Sequence, residues 1–153
     1  MSDGIKLKIS ENGIAKFLNG MLQRSSLVQG WLNRVAYPTI IRVQRQRWIT
    51  EGNSEGYAWK QLSPNYEKYK LRKFADYPGG GRKLLIATNR LVDSMTGDNQ
   101  SEHYKLVTDK TLEVGTFVPY AKYVDEQRSI VKLSPETVAE LKDGLKKYLT
   151  KGT

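Results

Sequence analysis

The sequence predicts an α+β fold, a small antiparallel sheet with helices packed on it, and three patterns predict it. Apolar residues recur at helical spacing from Ile14 to Val35. Two alternating runs flank Asp109-Lys110 in "HYKLVTDKTLEVGTF". A second apolar stripe of helical period begins at Pro135. At 153 residues the chain has room for one domain with a real core, read as residues 1–153 with a flexible loop near 75–83.

Taken in order, "IKLKI" (Ile5 to Ile9) alternates apolar and basic, the two-residue period of a half-buried strand. Ser10 or Asn12 supplies a helix cap. Ile14, Leu18, Met21, Val28, Leu32 and Val35 then step by three, four or seven, and Phe17, Leu22 and Trp31 widen the stripe. Gly20 and Gly30 each cost this helix roughly 1 kcal/mol relative to alanine. Tyr37-Pro38 is expected to interrupt it, because proline disfavours helical geometry in the residue before it. A second helical segment runs from about Thr39 to Thr50 and ends at Gly52. Its Arg42, Arg45 and Arg47 share no clean face and read as a solvated surface.

"EGNSEGYAW" is a turn-rich connector, and Trp59 with Leu62 reads as a hydrophobic anchor after it. Ser63 caps a short helix that opens on Pro64, where a missing N–H is harmless. "FADYPGGGRK" is a glycine loop, and "LLIATNRLVDSM" holds a short helix from Asn89 to Met95. The hairpin follows, with Tyr104, Leu106 and Thr108 on one face and Leu112 and Val114 on the returning strand. A short strand is expected at Ile130 to Leu133. The last helix carries Val138, Leu141, Leu145 and Leu149 on one face, and its late lysines suit the negative end of the helix dipole.

Net charge is +9, and much of it is local. From Lys60 to Arg90 there are eight bases and only two acids, Glu67 and Asp76. Within that span, "YAWKQLSPNYEKYKLRKF" interleaves lysines with tyrosines, which suits phosphate contact and base stacking. The same stripe also suits aromatics packed on a sheet with lysine stems reaching outward. No zinc finger, RNP aromatic pattern or GXXG clamp accompanies it, so sequence-blind nucleic-acid binding is the form that this alternative takes.

Catalytic groups are scarce. His103 is the only histidine and there is no cysteine, so no histidine–cysteine metal set, disulfide or thiolate nucleophile is available. "PGGGRK" lacks the GxxxxGK[ST] pattern, no Gly-x-Ser-x-Gly elbow occurs, and the acids are scattered. No catalytic residue, metal or cofactor is expected. No run approaches the roughly 18 apolar residues of a membrane span, and the start lacks a secretory apolar region. Assembly in a reducing host cytoplasm fits this composition.

Four blocks stand in an order that resembles a known family: "RWITEG", "WKQLSPNYEKYK", "LLIATNRLVDSM" and "VGTFVPYAKYVDEQ". Together they span Arg47 to Gln127, about half the chain, and resemble the phage virion-morphogenesis or tail-completion proteins, Mu-like and lambda-like. Asn89 stands where that family has a glycine, Tyr123-Val124 where it has His-Gln, and its closing Arg-Pro-Phe is absent. The resemblance implies a small curved antiparallel sheet packed by a long N-terminal helix and a C-terminal helix. It implies a structural virion protein of the neck or tail end, copies forming a sixfold ring. Its partners would be the tail terminator or tail tube protein, the head–tail connector, and genomic double-stranded DNA in the lumen. Under it, Trp59, Leu62 and Tyr66 fix the short helix to the core. Arg72, Lys73, Arg82 and Lys83 face the DNA channel or a neighbouring subunit, and Gly115, Thr116, Pro119 and Tyr120 form the family-motif loop.

Overall fold

Val28, Leu32, Ala36, Ile40, Gln44 and Trp48 recur at every fourth position, and all six are buried in the computed structural model, which describes residues 6–10, 25–77, 79 and 81–151. They lie on one continuous rod made of α1 (Ser25–Trp31), a π-helical turn (Leu32–Ala36) and α2 (Tyr37–Ile49). The expected break at Tyr37-Pro38 does not occur. Tyr37 stays helical at φ -60°, ψ -51°, and its N–H donates to the carbonyl of Leu32, five residues back. That wide turn displaces the carbonyls that a proline ring would meet in a regular helix, so Pro38 enters without a kink. Ile5 and the expected stripe from Ile14 to Leu22, with Asn12 and Gly20, lie outside the described residues.

The sheet has the order β1 (Lys6–Ser10), β3 (Thr111–Thr116), β2 (His103–Val107), antiparallel throughout. Val114 lies opposite Leu7 on one side and Lys105 on the other, and Val107 lies opposite Leu112. Opposed residues share a face. The face carrying Leu7, Leu112 and Val114 therefore packs on Trp31, Leu32 and Ile40 of the rod and on Leu141 and Leu145 of α6 (Pro135–Lys151). Burying side chains of this size contributes roughly 1.5–3 kcal/mol each.

The structure reverses the expected facing of β2. Tyr104 and Leu106 lie on the far side from Leu112 and Val114, and Leu106 is 45% exposed. With Leu106 and Val107 adjacent, period alone does not say which one points inward; the pairing to β3 decides. On the outer face Tyr104 meets Phe117 edge to face at 5.2 Å, lies under the Lys6 ammonium at 4.1 Å, and donates to Glu113 at 2.9 Å.

A second core sits at the C-terminal end of the rod. Trp48 and Trp59 meet edge to face, ring centroids 4.9 Å apart, beside Leu91 and Met95 of α4 (Arg90–Thr96) and Ala121 of α5 (Ala121–Gln127). The strand expected at Ile130 to Leu133 does not form, because side chains claim its backbone. Trp59 Nε1 donates to Ser129 O at 2.9 Å, Ile130 N donates to Asp125 at 2.8 Å, and Arg47 donates to Lys132 O. One donor and one acceptor of the segment are thereby diverted from any ladder. Val138, expected on the inner face of α6, is exposed.

Arg47 corrects the reading of the arginine run. Arg42 and Arg45 are solvated and pair with Glu140 and Asp98, but Arg47 is only 1% exposed. Near it, buried Glu55 in the 3-10 turn Asn53–Glu55 accepts bonds from Ser134 N at 2.7 Å and Thr137 Oγ1 at 2.9 Å. Burial holds the Arg47 pKa below its ordinary value, and the charges of Glu55 and Asp125 oppose that drop. Two distant elements are thus joined through a buried charge.

Candidate functional site

Helix α3 (Pro64–Lys73) begins as the sequence dictates: the Ser63 side chain accepts from Tyr66 N at 3.4 Å, Pro64 opens the helix, Glu67 lies in the first turn and Lys70, Arg72 and Lys73 in the last. Its anchoring differs from expectation. Trp59 is buried and Leu62 packs half-buried against the second core, but Tyr66 is 49% exposed and is no core anchor. The residue that α3 buries is Lys70, 3% exposed, whose ammonium donates to Lys83 O. With no apolar stripe of its own, α3 is fastened by a cation to the backbone of the following loop.

That bond assembles the basic patch. Gly81, at φ +71°, packs so closely on α3 that a Cβ would stand 2.5 Å from Lys70 O. Gly81 thus sets the loop bearing Arg82 and Lys83 against the last turn of α3, which bears Arg72 and Lys73, and all four are exposed. Lys73 donates to Tyr69 Oη at 2.7 Å, and Lys83 donates to Ile49 O at 3.2 Å. Tyr66 and Tyr69 stack at a tilt, centroids 5.9 Å apart, on the exposed side of the helix.

Beside the patch, α3, α4 and α5 enclose a groove of about 300 Å3. Leu62, Leu85, Leu91 and Val124 line it with apolar surface, Tyr66 and Tyr120 stand in its walls, and Lys70, Arg90 and Arg128 supply charge. Arg90 forms a two-toothed pair with Glu102, Nε lying 2.9 and 3.0 Å from its oxygens, which holds the Glu102 pKa below its ordinary value. Arg128 instead donates to the carbonyls of Lys60 at 2.7 Å and Gln61 at 3.4 Å. Burial lowers the Lys70 pKa, the Glu51 charge raises it, and the Arg128 charge lowers it further. The carboxamide Oδ1 of Asn89, also in the groove, is buried and accepts no hydrogen bond among the described residues.

The family-motif residues divide. Gly115 and Thr116 are buried in β3, whereas Pro119 and Tyr120 are exposed beyond its end. Ser94 Oγ donates to Leu91 O at 2.7 Å, so the 2.7 Å contact between Ser94 and Thr116 is donated by Thr116, which itself accepts from Val118 N at 3.0 Å. That ordered chain ties α4 to β3. Asn89 takes φ +64°, the left-handed conformation that a glycine adopts freely.

His103 is half-buried, and both its ring nitrogens are engaged. Nδ1 donates to Ser94 O at 2.6 Å, which leaves Nε2 of the neutral ring to accept from Tyr37 Oη at 3.0 Å. The Ser94 hydroxyl is committed to Leu91 O, so Ser94 and this histidine do not form a nucleophile–base pair. Among the described residues no group of three His, Cys, Asp or Glu could hold a metal ion, and no helix is long and apolar enough to cross a membrane.

Sequence reasoning missed three groove residues: Arg90, Arg128 and buried Lys70. Arg90 and Lys70 carried a signal as members of the basic span, but Arg128 is a lone base after "VDEQ" and only the fold brings it there. Comparison with protein-family models, with curated proteins and with solved structures found no match to this chain.

Proposed function

We propose that this chain is a structural phage virion protein of the neck or tail end. It would complete the tail and join it to the head connector as one copy in an oligomeric, sixfold ring. One observation carries the reading: the blocks that resemble the tail-completion family converge on one structural unit. Ser94 of the "LLIATNRLVDSM" block is hydrogen-bonded to Thr116 of the "VGTFVPYAKYVDEQ" block, and Tyr66 of the "WKQLSPNYEKYK" block shares a groove with Tyr120. Asn89, at the family's glycine position, has the backbone angle that explains a glycine there.

The mechanism is docking, with no bond made or broken. Exposed aromatics beside cations are the residue types that dominate protein interfaces. Arg72, Lys73, Arg82 and Lys83 would meet a neighbouring subunit, or the phosphates of DNA passing through the lumen without reading its bases. The partners are further copies of the chain, the tail terminator or tail tube protein and the head–tail connector; the destination is the virion, after assembly in the host cytoplasm. Deleting the gene should yield separate filled heads and tails that fail to join. Normal infectious particles from the deletion would overturn the reading, as would a virion reconstruction with no density for the chain at the head–tail junction.

The second reading is a sequence-independent nucleic-acid-binding protein. The observation favouring it is the exposed Tyr66–Tyr69 pair on the same helix as exposed Arg72, which has no ion-pair partner among the described residues. Salt-dependent binding to bare DNA without self-association at high concentration would select it.

A further inference from the structure

The groove between α3, α4 and α5 has an unbalanced chemistry. Its cations are Lys70, Arg90 and Arg128, and among the described residues no acid lines it. Glu102 already neutralises Arg90. Lys70 and Arg128 are held by backbone carbonyls, which fix their positions without cancelling their charge. Burial and the Arg128 charge disfavour the protonated form of Lys70, and the Glu51 charge, outside the groove lining, favours it. An anion placed between Lys70 and Arg128 would relieve their repulsion. In the same groove Asn89 Oδ1 is a buried acceptor with no donor among the described residues, and four aliphatic side chains supply apolar surface.

We propose that this groove is a docking site for an extended peptide segment of a partner protein, one that carries a carboxylate next to a bulky apolar side chain. The carboxylate would lie between Lys70 and Arg128, the apolar side chain on Leu62, Leu85 and Val124, and a peptide N–H would donate to Asn89. A phosphodiester strand satisfies the cations but leaves the aliphatic floor uncovered, and its backbone brings no donor for Asn89. A hollow of about 300 Å3 holds a few side chains, at the small end of the range for bound ligands. Tyr66 and Tyr120, exposed in the walls, are the amphipathic type that covers such a segment at little cost in rotamer freedom. The inference rests on the docking reading only for the class of partner, a protein.

The test is a titration of the isotope-labelled full chain, followed by amide NMR. The probes are an acetylated, amidated Asp-Leu-Phe-Asp peptide, its Asn-Leu-Phe-Asn counterpart, and a short oligothymidylate. The acidic peptide should shift the amides of Leu85, Leu91 and Val124 saturably, and the neutral one should bind about tenfold more weakly, the loss expected for one charge-assisted contact. Arg128→Gln should weaken the acidic peptide about tenfold. Should that variant unfold, Thr88→Glu, at an exposed position on the groove, should weaken it by adding a like charge, while Arg42→Gln, outside the groove, leaves it unchanged. Equal binding of the two peptides, no saturable shift at those amides, or tighter occupation by the oligothymidylate would each overturn the proposal. A negative titration removes the groove's role and leaves the place in the virion standing. Absence from the head–tail junction removes that place and leaves a positive titration intact.

Discussion

The Glu55 carboxylate caps α6 from 79 residues away, accepting the Ser134 N–H at 2.7 Å. Both its oxygens also accept the Thr137 hydroxyl, at 2.9 and 3.0 Å, and its charge opposes the cost of burying Arg47. Removing it would leave the buried Ser134 N–H and Thr137 hydroxyl without their acceptor, and Arg47 with one opposing charge fewer. Glu55→Ala should therefore lose about 1–3 kcal/mol in a urea melt, as expected when buried donors lose their acceptor. Glu55→Gln, which keeps an acceptor, should lose less.

Thr116 passes a directed chain of hydrogen bonds from Val118 N to Ser94 and on to Leu91 O. A valine fits the same space but leaves the Val118 N–H buried without an acceptor. Thr116→Val should cost about 1–3 kcal/mol by chemical denaturation, and Thr116→Ser, which keeps the hydroxyl, markedly less.

Asn89 holds φ +64° without a side-chain cap bond to α4. Replacing it by glycine relieves the strain of that angle and removes the unpaired buried oxygen, so thermal stability should hold or rise. Asn89→Val should lower stability by about 1–2 kcal/mol, because a branched side chain clashes in the left-handed region. A loss on going to glycine would show that the carboxamide is needed.

Gly81 lies at φ +71° with Lys70 O where a methyl group would project. Gly81→Ala should lose about 1–3 kcal/mol, and in hydrogen exchange the loss should appear first in α3 and the loop from Arg82 to Leu84. The same variant should scatter the four patch cations, so any binding that depends on them falls with it.

Arg90 pairs with Glu102 and holds its pKa below the ordinary 4.5. A carboxylate whose folded pKa is depressed adds stability that is fully present above its unfolded pKa and fades as pH falls through the folded value. Urea midpoints should therefore show a slope from this pair below about pH 4.5, which Glu102→Gln removes. Because the pair is solvated, added salt should flatten the same slope.

Where a pattern depends only on neighbours in the chain, the sequence was readable. The hairpin about Asp109-Lys110, the Ser63-Pro64 start of α3 and the short helix after Asn89 all follow from local rules, and all are present. What was not readable depends on partners far away. Arg47 looks like any surface arginine until Lys132 and Glu55 close over it. "IVKL" looks like a strand until Asp125, Arg47 and Glu55 take the backbone groups along and beside it. Tyr66 looks like an anchor because a lysine was not expected to bury itself in its place. The exposed bases were legible as a patch; the groove beside it was not, since Arg128 reaches it only through the fold.

A strict four-residue repeat of buried positions cannot stay on one side of an ordinary helix, which completes a turn about every 3.6 residues. From Val28 to Trp48 such a repeat would spiral away from the sheet before reaching the paired tryptophans. The wide turn from Leu32 to Ala36 holds back part of that drift, keeping both hydrophobic clusters in phase along a single axis. Were the same five residues wound as a regular helix, everything past them would be swung round by about a quarter of a turn. Trp48 would then turn away from Trp59, so here the winding of the backbone matters more than residue identity.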